Sequence, residues 1–345
     1  MKIAIDAMGG DQAPEVNVRG ALLAIKKFAD IELTLVGDEK KITQYLPENY
    51  PEERLNLRQA EEVITGREKP ALALRRKKTA SIAVAAELVK NEGYQALISA
   101  GSTGASLAAG ILKIGRLPGI KRPAISTIFP GQKGSTLLLD MGANANAEPK
   151  YLQQFAIMGQ LYSRLILERD NPRLGLMSVG EEEGKGSKLT AEAHKLIFED
   201  DTVTNFAGNV EGRDIFTGEY DVIVTDGFTG NVILKTSEGL ADFIFSELKE
   251  ALTSNTLAKL GALLVKKDLK NMKDKLDYKQ YGGAPLLGLK NNVIICHGSS
   301  DETAIFNAIR VARKTIEQKI VSVIASEITE EGVNNVQESN DNRSG

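Results

Sequence analysis

Lys2-Ile-Ala-Ile-Asp-Ala-Met8 runs directly into Gly9-Gly10, and this short apolar run breaking into glycine decides the fold because it recurs along the chain. It returns as Leu33-Thr-Leu-Val before Gly37, Ala96-Leu-Ile-Ser-Ala before Gly101, and Thr136-Leu-Leu-Leu-Asp before Gly142. Three further copies are Leu174-Gly-Leu-Met-Ser-Val before Gly180, Asp221-Val-Ile-Val-Thr-Asp before Gly227, and Asn292-Val-Ile-Ile-Cys before Gly298. Segments of helical period separate them. Nearly continuous apolar strands alternating with helices predict an α/β fold with a largely parallel sheet covered on both faces. In such sheets the loops after the strands gather at one edge and bind ligands there. The strand pattern stops between Ser237 and Tyr278, which reads as a projecting helical hairpin broken near Ser254-Asn255. Residues 1–333 are expected to form one large α/β catalytic domain that includes the hairpin 237–278. The polar stretch 334–345 reads as a disordered tail.

Composition narrows the function. The 345 residues are 42% hydrophobic and 26% charged, enough for a sizeable core in two compact units or one large domain. A net charge of −3 argues against a general nucleic-acid binder. Absent tryptophan and 5% aromatics argue against base-stacking platforms. Cys296 is the single cysteine, so no intramolecular disulfide can form and a reducing, cytoplasmic setting is expected. The amino terminus does not resemble a signal peptide, and no apolar stretch approaches the ~20 residues of a membrane span.

Each glycine loop carries a functional reading and a plainer one. Ile98-Ser-Ala-Gly101-Ser102-Thr103-Gly104 suits an anion, with backbone N–H groups at a helix start and two hydroxyls, or it is an ordinary capped turn. Gly180-Glu-Glu-Glu-Gly184-Lys185-Gly186-Ser187 is not a P-loop, because three residues rather than four separate the first two glycines and glycine follows the lysine. It remains a flexible loop able to deliver the Lys185 ammonium, or a solvated loop. Asp6 and Asp11 beside Gly9-Gly10 shape a polar pocket or cap a turn, and the dinucleotide fingerprint is missing. In Asp226-Gly-Phe-Thr-Gly230-Asn231, Asn231 either caps a helix or donates to an oxyanion. Arg213 offers a bidentate phosphate partner or a surface pair with Asp214. His297, followed by Gly298-Ser299-Ser300-Asp301, is placed to bind phosphate or move a proton, whereas adjacent Cys296 points to the opposite face. His194 reads as an inert residue on a surface helix. With two histidines and one cysteine, no metal site is expected.

Arg75-Arg76-Lys77-Lys78 is a solvated basic face or a dock for an acidic partner. Residues 257–276 pair Leu257, Leu260, Leu264, Leu269, Met272 and Leu276 with Lys259, Lys266, Lys267, Lys270 and Lys273. That basic amphipathic helix fits a membrane surface or a packing interface.

Five stretches together resemble the bacterial phosphate acyltransferase (PlsX) family of phospholipid synthesis. They are Ile5-Asp-Ala-Met-Gly-Gly-Asp11, Ile98-Ser-Ala-Gly-Ser-Thr-Gly104, Leu139-Asp-Met-Gly-Ala-Asn144, Val224-Thr-Asp-Gly-Phe-Thr-Gly-Asn231 and His297-Gly-Ser-Ser-Asp301. The resemblance spans all but the tail. It implies a three-layer α/β/α sandwich with a large, mostly parallel (mixed) sheet, Rossmann-like and similar to isocitrate dehydrogenase and phosphotransacetylase folds. It implies a homodimer that makes acyl phosphate from long-chain acyl-acyl carrier protein and inorganic phosphate, feeding a downstream acyltransferase that uses acyl phosphate. No cofactor is implied, and peripheral attachment to an anionic membrane is. On this reading Lys185, Asn231 and His297 are catalytic. Gly101, Ser102, Thr103, Gly104, Asn144, Arg213, Asp226, Ser299 and Ser300 bind phosphate or substrate. Arg75, Arg76, Lys77 and Lys78 would dock acyl carrier protein, and Leu257, Leu260 and Leu264 would touch the membrane. Rival readings are a phosphotransacetylase-like enzyme using acyl-coenzyme A, a non-catalytic lipid-binding scaffold, and a nicotinamide dehydrogenase.

Overall fold

A computed structural model describes residues 1–276 and 282–328. Tyr278, at the expected end of the hairpin, and the tail 334–345 lie outside the described residues. The first half of the chain builds β1 (Lys2–Asp6), α1 (Glu15–Lys27), β2 (Glu32–Gly37), α2 (Glu39–Ile42), β3 (Leu55–Gln59), α3 (Pro70–Arg76), α4 (Ser81–Asn91), β4 (Ala96–Ser99) and α5 (Thr103–Ala109). The middle builds β5 (Ala124–Pro130), β6 (Ser135–Leu139), α6 (Pro149–Ile166), β7 (Leu174–Met177), α7 (Lys188–Phe198), β8 (Phe206–Val210) and β9 (Val222–Val224). The last third holds α8 (Gly227–Thr253), α9 (Thr256–Leu264), α10 (Lys266–Leu276), β10 (Ala284–Leu287), β11 (Asn292–Ile295) and α11 (Glu302–Glu317), and a further helical turn sequence covers 320–328.

One 11-stranded sheet runs β3-β2-β1-β4-β11-β10-β5-β6-β9-β7-β8. Strands β3, β2, β1, β4 and β11 are mutually parallel, as are β6, β9, β7 and β8. Three successive antiparallel pairings, β11 with β10, β10 with β5 and β5 with β6, set these two groups in opposite directions. The sheet is therefore mixed, and the loops after its strands do not gather at one edge as the strand pattern alone suggests. Four strands lack the recurring signal. Pro285 interrupts β10, Pro130 ends β5, Gly208 sits within β8, and β3 (Leu-Asn-Leu-Arg-Gln) is a half-polar edge strand.

Alternation along the strands fills two layers. One face packs α4, α5 and the start of α8 over a continuous cluster containing Ala4, Leu97, Val293, Leu286, Leu138 and Ile223. The other face divides in two. Helices α1 and α11 cover Ile3, Ile5, Leu33 and Ile98, while α6, α7 and 320–328 cover Leu137, Leu139, Val222 and Leu176. Close approach needs glycine at two seams. A Cβ at Gly20 would meet Ile305 at 2.6 Å between α1 and α11, and one at Gly159 would meet Val222 at 2.8 Å between α6 and the sheet.

Helix α8 has 27 residues. At about 1.5 Å per residue it reaches about 40 Å, well beyond the strands it starts from. Thr253 ends it, and the Asn255 side chain caps α9 by accepting from Ala258 N–H. The returning arm is itself split at Val265 into α9 and α10. Among the described residues no helix is long and apolar enough to cross a membrane.

Candidate active site

Two groups of loops carry the residues singled out in the sequence. The first lies after β1, β4 and β11. Asp6, at the end of β1, is buried and accepts a bond from Ser99 Oγ (2.7 Å), and Ser99 Oγ accepts the Gly101 N–H (3.1 Å). Burial pushes the Asp6 carboxyl above its usual range, opposed by its hydrogen bonds from Ser81, Ser99, Met8 and Gly9. A Cβ at Gly9 would lie 2.6 Å from Gly101 N, so the two loops rest directly on one another. Asp11 N–H donates to Gly298 O (2.8 Å), adding the third loop. Gly104 lets α3 pack closely, since a Cβ there would meet Pro70 at 2.7 Å. Ser102 caps α5 without a side-chain bond to the helix, and Thr103 is exposed beside it.

In the same group Ser299 N–H donates to His297 Nδ1 (3.2 Å), and Ser299 Oγ lies 2.8 Å from the same nitrogen. A backbone donor on Nδ1 assigns the proton of the neutral ring to Nε2. Ser300 is buried, and Asp301 caps α11 by accepting from Ala304 N–H. Cys296 is buried, with its thiol pushed up to about 12 by desolvation, and takes no part as a nucleophile.

The second group lies after β6, β9, β7 and β8, and Asp140 organises it. Its carboxylate accepts Ile125 N–H (3.0 Å), Ala143 N–H (3.1 Å), Asn144 N–H (2.7 Å) and Asn144 Nδ2–H (2.9 Å). Desolvation nevertheless holds it above the ordinary carboxylate range. The Asn144 amide also donates to Pro123 O (2.8 Å), and Asn144 O accepts Gly227 N–H (2.9 Å). Asn144 thus ties the loop to the start of α8, with its side chain engaged inside the protein. A Cβ at Gly230 would collide with Asp140 O, and a Cβ at Gly142 would lie 3.4 Å from Asn231 Cβ. The first turn of α8, and Asn231 on it, is clamped against the 140–144 loop.

Asp226 is the cap of α8, accepting from Thr229 N–H (2.9 Å) and Thr229 Oγ1 (2.7 Å). Beside β9, β7 leads into the Lys185 loop, where Ser178 Oγ donates to Lys185 O (3.1 Å) and Lys185 is exposed. Val179 and Phe228 are 80% and 65% exposed, leaving bare apolar side chains on the Lys185 loop and on the first turn of α8, next to Asn231. Neither was singled out in the sequence, where isolated apolar residues in loops carry no signal. Arg213 pairs with Glu211 (3.0 Å) and Glu181 (3.5 Å) rather than with Asp214, whose carboxylate accepts Glu211 N–H. His194 is not a surface residue: it is buried against Phe206 and Phe198. In the basic run, Lys77 is held by Glu68 (3.0 Å) and Val63 O (2.9 Å), whereas Arg75, Arg76 and Lys78 are exposed.

Opposed strand directions alone would put the two groups at opposite ends of the sheet. Twist changes this. Five steps separate β4 from β9, and at 20–25° each they turn β9 by roughly 110°, leaving the two sets of strand ends inclined at roughly 70°.

This architecture defines the class: an α/β sandwich with glycine-loop sites, the fold of phosphotransacylases. It aligns with a phosphotransacetylase from Streptococcus pyogenes at TM-score 0.60 and 16% identity, covering 92% of this chain and 94% of that one. A branched-chain phosphotransacylase from Enterococcus faecalis V583 aligns at 0.55 and 14%, covering 92% and 99%. The sequence narrows the class further. Residues 1–323 match the family described as fatty acid synthesis protein. The phosphate acyltransferase of Halothermothrix orenii is 51% identical over 333 residues, covering 96% of this chain and 100% of that protein. That of Bacillus pumilus is 48% identical over 335 residues, covering 97% and 99%. The chain belongs to the phosphate acyltransferase family, a family of enzymes.

Proposed function

We propose that this enzyme transfers a long-chain acyl group from the thioester of acyl carrier protein to inorganic phosphate. A phosphate oxygen attacks the thioester carbonyl carbon, and a C–O bond forms. The C–S bond then breaks, and the sulfur leaves as the carrier's thiol once it takes up a proton. Phosphate is itself the nucleophile, so the protein needs anion binding, alignment and stabilisation of the oxyanion, not an activated serine or cysteine. The observation that carries this reading is the Asp140-anchored clamp on the start of α8, which carries exposed Asn231 just after β9, while neighbouring β7 leads into the loop of exposed Lys185. An amide donor and an ammonium there suit the developing oxyanion. Exposed Val179 and Phe228 beside them favour a long acyl donor over acetyl-coenzyme A. In this proposal His297 with Ser299 and the Gly101–Gly104 loop hold phosphate, with Arg213 reaching it by exchanging its glutamate partners for the anion.

Three further assignments belong to this proposal. Arg75, Arg76 and Lys78 dock the acidic carrier protein. Leu257, Leu260 and Leu264 touch an anionic membrane. The exposed α8 face of Leu240, Phe243 and Ile244 pairs with a second copy. The deciding assay follows free thiol from palmitoyl-acyl carrier protein with and without phosphate, tracking acyl phosphate. Phosphate-dependent release with matching acyl phosphate is expected, and release indifferent to phosphate would overturn the proposal. Loss of one oxyanion donor typically lowers turnover ~10²–10³-fold. Lys185→Ala and Asn231→Ala are each expected to show that loss, and near-native turnover in both folded variants would remove them from the role.

A further inference from the structure

A groove of about 640 Å³ opens between α8 and the returning arm formed by α9 and α10. Its walls are Phe245, Leu248, Leu252, Ala262, Leu263 and Leu269, and Lys249, Lys259, Lys266 and Lys270 complete the lining with Thr253. Among the described residues no acidic side chain lines it. The volume falls within the ~300–1,000 Å³ of small-molecule sites.

Both helices use separate faces for the groove and for the outer surface. On α8 the groove takes Phe245, Leu248 and Leu252, whereas the exposed Leu240, Phe243 and Ile244 lie outside its lining. On α9 it takes Lys259, Ala262 and Leu263, whereas Leu257, Leu260 and Leu264, 58–85% exposed, do not line it. At about 100° per residue these sets point in different directions. The groove is therefore distinct from the surfaces assigned to the membrane and to a second copy.

We propose that this groove binds a single-chain anionic amphiphile, the acyl phosphate product itself, with its chain along the leucine walls and its phosphate among the four lysines. Charge complementarity selects this occupant. An apolar floor alone would accept any chain, but four lysines in the lining with no acidic side chain among the described residues select an anionic head. The inference rests on the proposed reaction for the identity of the ligand. An acyl phosphate is poorly soluble and open to hydrolysis, so holding it at the hairpin separates release from the active site from delivery to the next acyltransferase.

The chain contains no tryptophan, so Phe245→Trp in the full-length protein installs a single reporter in the groove wall. Hexadecyl phosphate, a stable probe of the product's chemistry, is titrated below its micelle concentration. A saturable blue shift is expected, absent with hexadecanol or hexadecyltrimethylammonium. Adding Lys266→Glu and Lys270→Glu is expected to weaken binding on the order of tenfold or more, with unchanged circular dichroism. Equilibrium dialysis of radiolabelled hexadecyl phosphate with unmodified protein gives the same test without the reporter. An equal response to hexadecanol, a response only to anionic vesicles, or a concentration-dependent shift without amphiphile would each overturn the proposal. Respectively, these outcomes mean a bare apolar surface, a membrane contact and a second copy in the groove. Thioester cleavage by the unmodified enzyme, measured separately, distinguishes failure of the groove from failure of the proposed reaction.

Discussion

Asp140 binds four N–H groups, which makes it a positioning residue for the first turn of α8. Asp140→Asn replaces an acceptor oxygen with an amide that would oppose two of those donors. A loss of about 1–3 kcal/mol in stability is expected from the unsatisfied groups, read as a lowered urea midpoint. In enzyme that remains folded, turnover should fall while the phosphate KM holds, because Asn231 is displaced. Unchanged turnover per folded molecule would confine Asp140 to stability. Asp6 makes a separate prediction in pH. Burial raises its folded pKa, so the folded state keeps the proton to a higher pH than the unfolded chain. That contribution is fully present below the unfolded value of 3.8 and is lost as pH rises through the folded value. The stability of the native protein relative to Asp6→Asn should therefore decline as pH rises from about 4, with a slope of at most about 1.4 kcal/mol per unit. A difference that stays flat in urea titrations across this range would refute the shift. Both acids share a readable mark, an aspartate ending an apolar strand just before a glycine loop. What Asp140 binds was not readable, since Ile125, one of its donors, comes to it from a strand without the recurring signal.

At the scale of the element, the hairpin divides its apolar residues among three faces, and the outer leucines of α9 are the part proposed for the membrane. Leu260→Glu with Leu264→Glu places two carboxylates on that face, and each side chain is at least half exposed already. Fold stability should change little, while liposome binding falls and becomes insensitive to anionic lipid content. Flotation with unchanged binding would take α9 out of the membrane account. The amphipathic period of 257–276 was visible in the sequence. The split at Val265 was not, because both sides of it keep helical composition. Nor could periodicity tell which leucines face the groove and which face outward, because α8 supplies the opposite wall.

For the whole molecule, the exposed α8 stripe of Leu240, Phe243 and Ile244 calls for a partner, and a second copy is the proposed one. Phe243→Asp with Ile244→Asp should shift the protein toward monomer in sedimentation equilibrium without loss of helical signal. A monomer in the unmodified protein, or a dimer untouched by the substitutions, would place assembly elsewhere. The same scale explains the site. Opposed strand directions separate the start of α8, which carries Asn231, from the His297 loop, and twist accumulated across the central strands reduces the angle between the two sets of strand ends.

The sequence by itself determined the alternation of strand and helix, the glycine loops that end the strands, the break at Ser254-Asn255 and membership of an enzyme family. All of these are local, set by hydrophobic period, turn chemistry and contiguous motifs, and so survive in one dimension. Only the tertiary structure decided the reversal of the sheet at β10 and β5, because strand direction depends on which strands pair, not on their composition. It likewise decided partners. Lys77 is held by Glu68, Arg213 by Glu211 and Glu181, and His194 lies among phenylalanines. A side chain's role follows from the groups that folding brings within hydrogen-bonding or packing distance, and those groups come from distant parts of the chain.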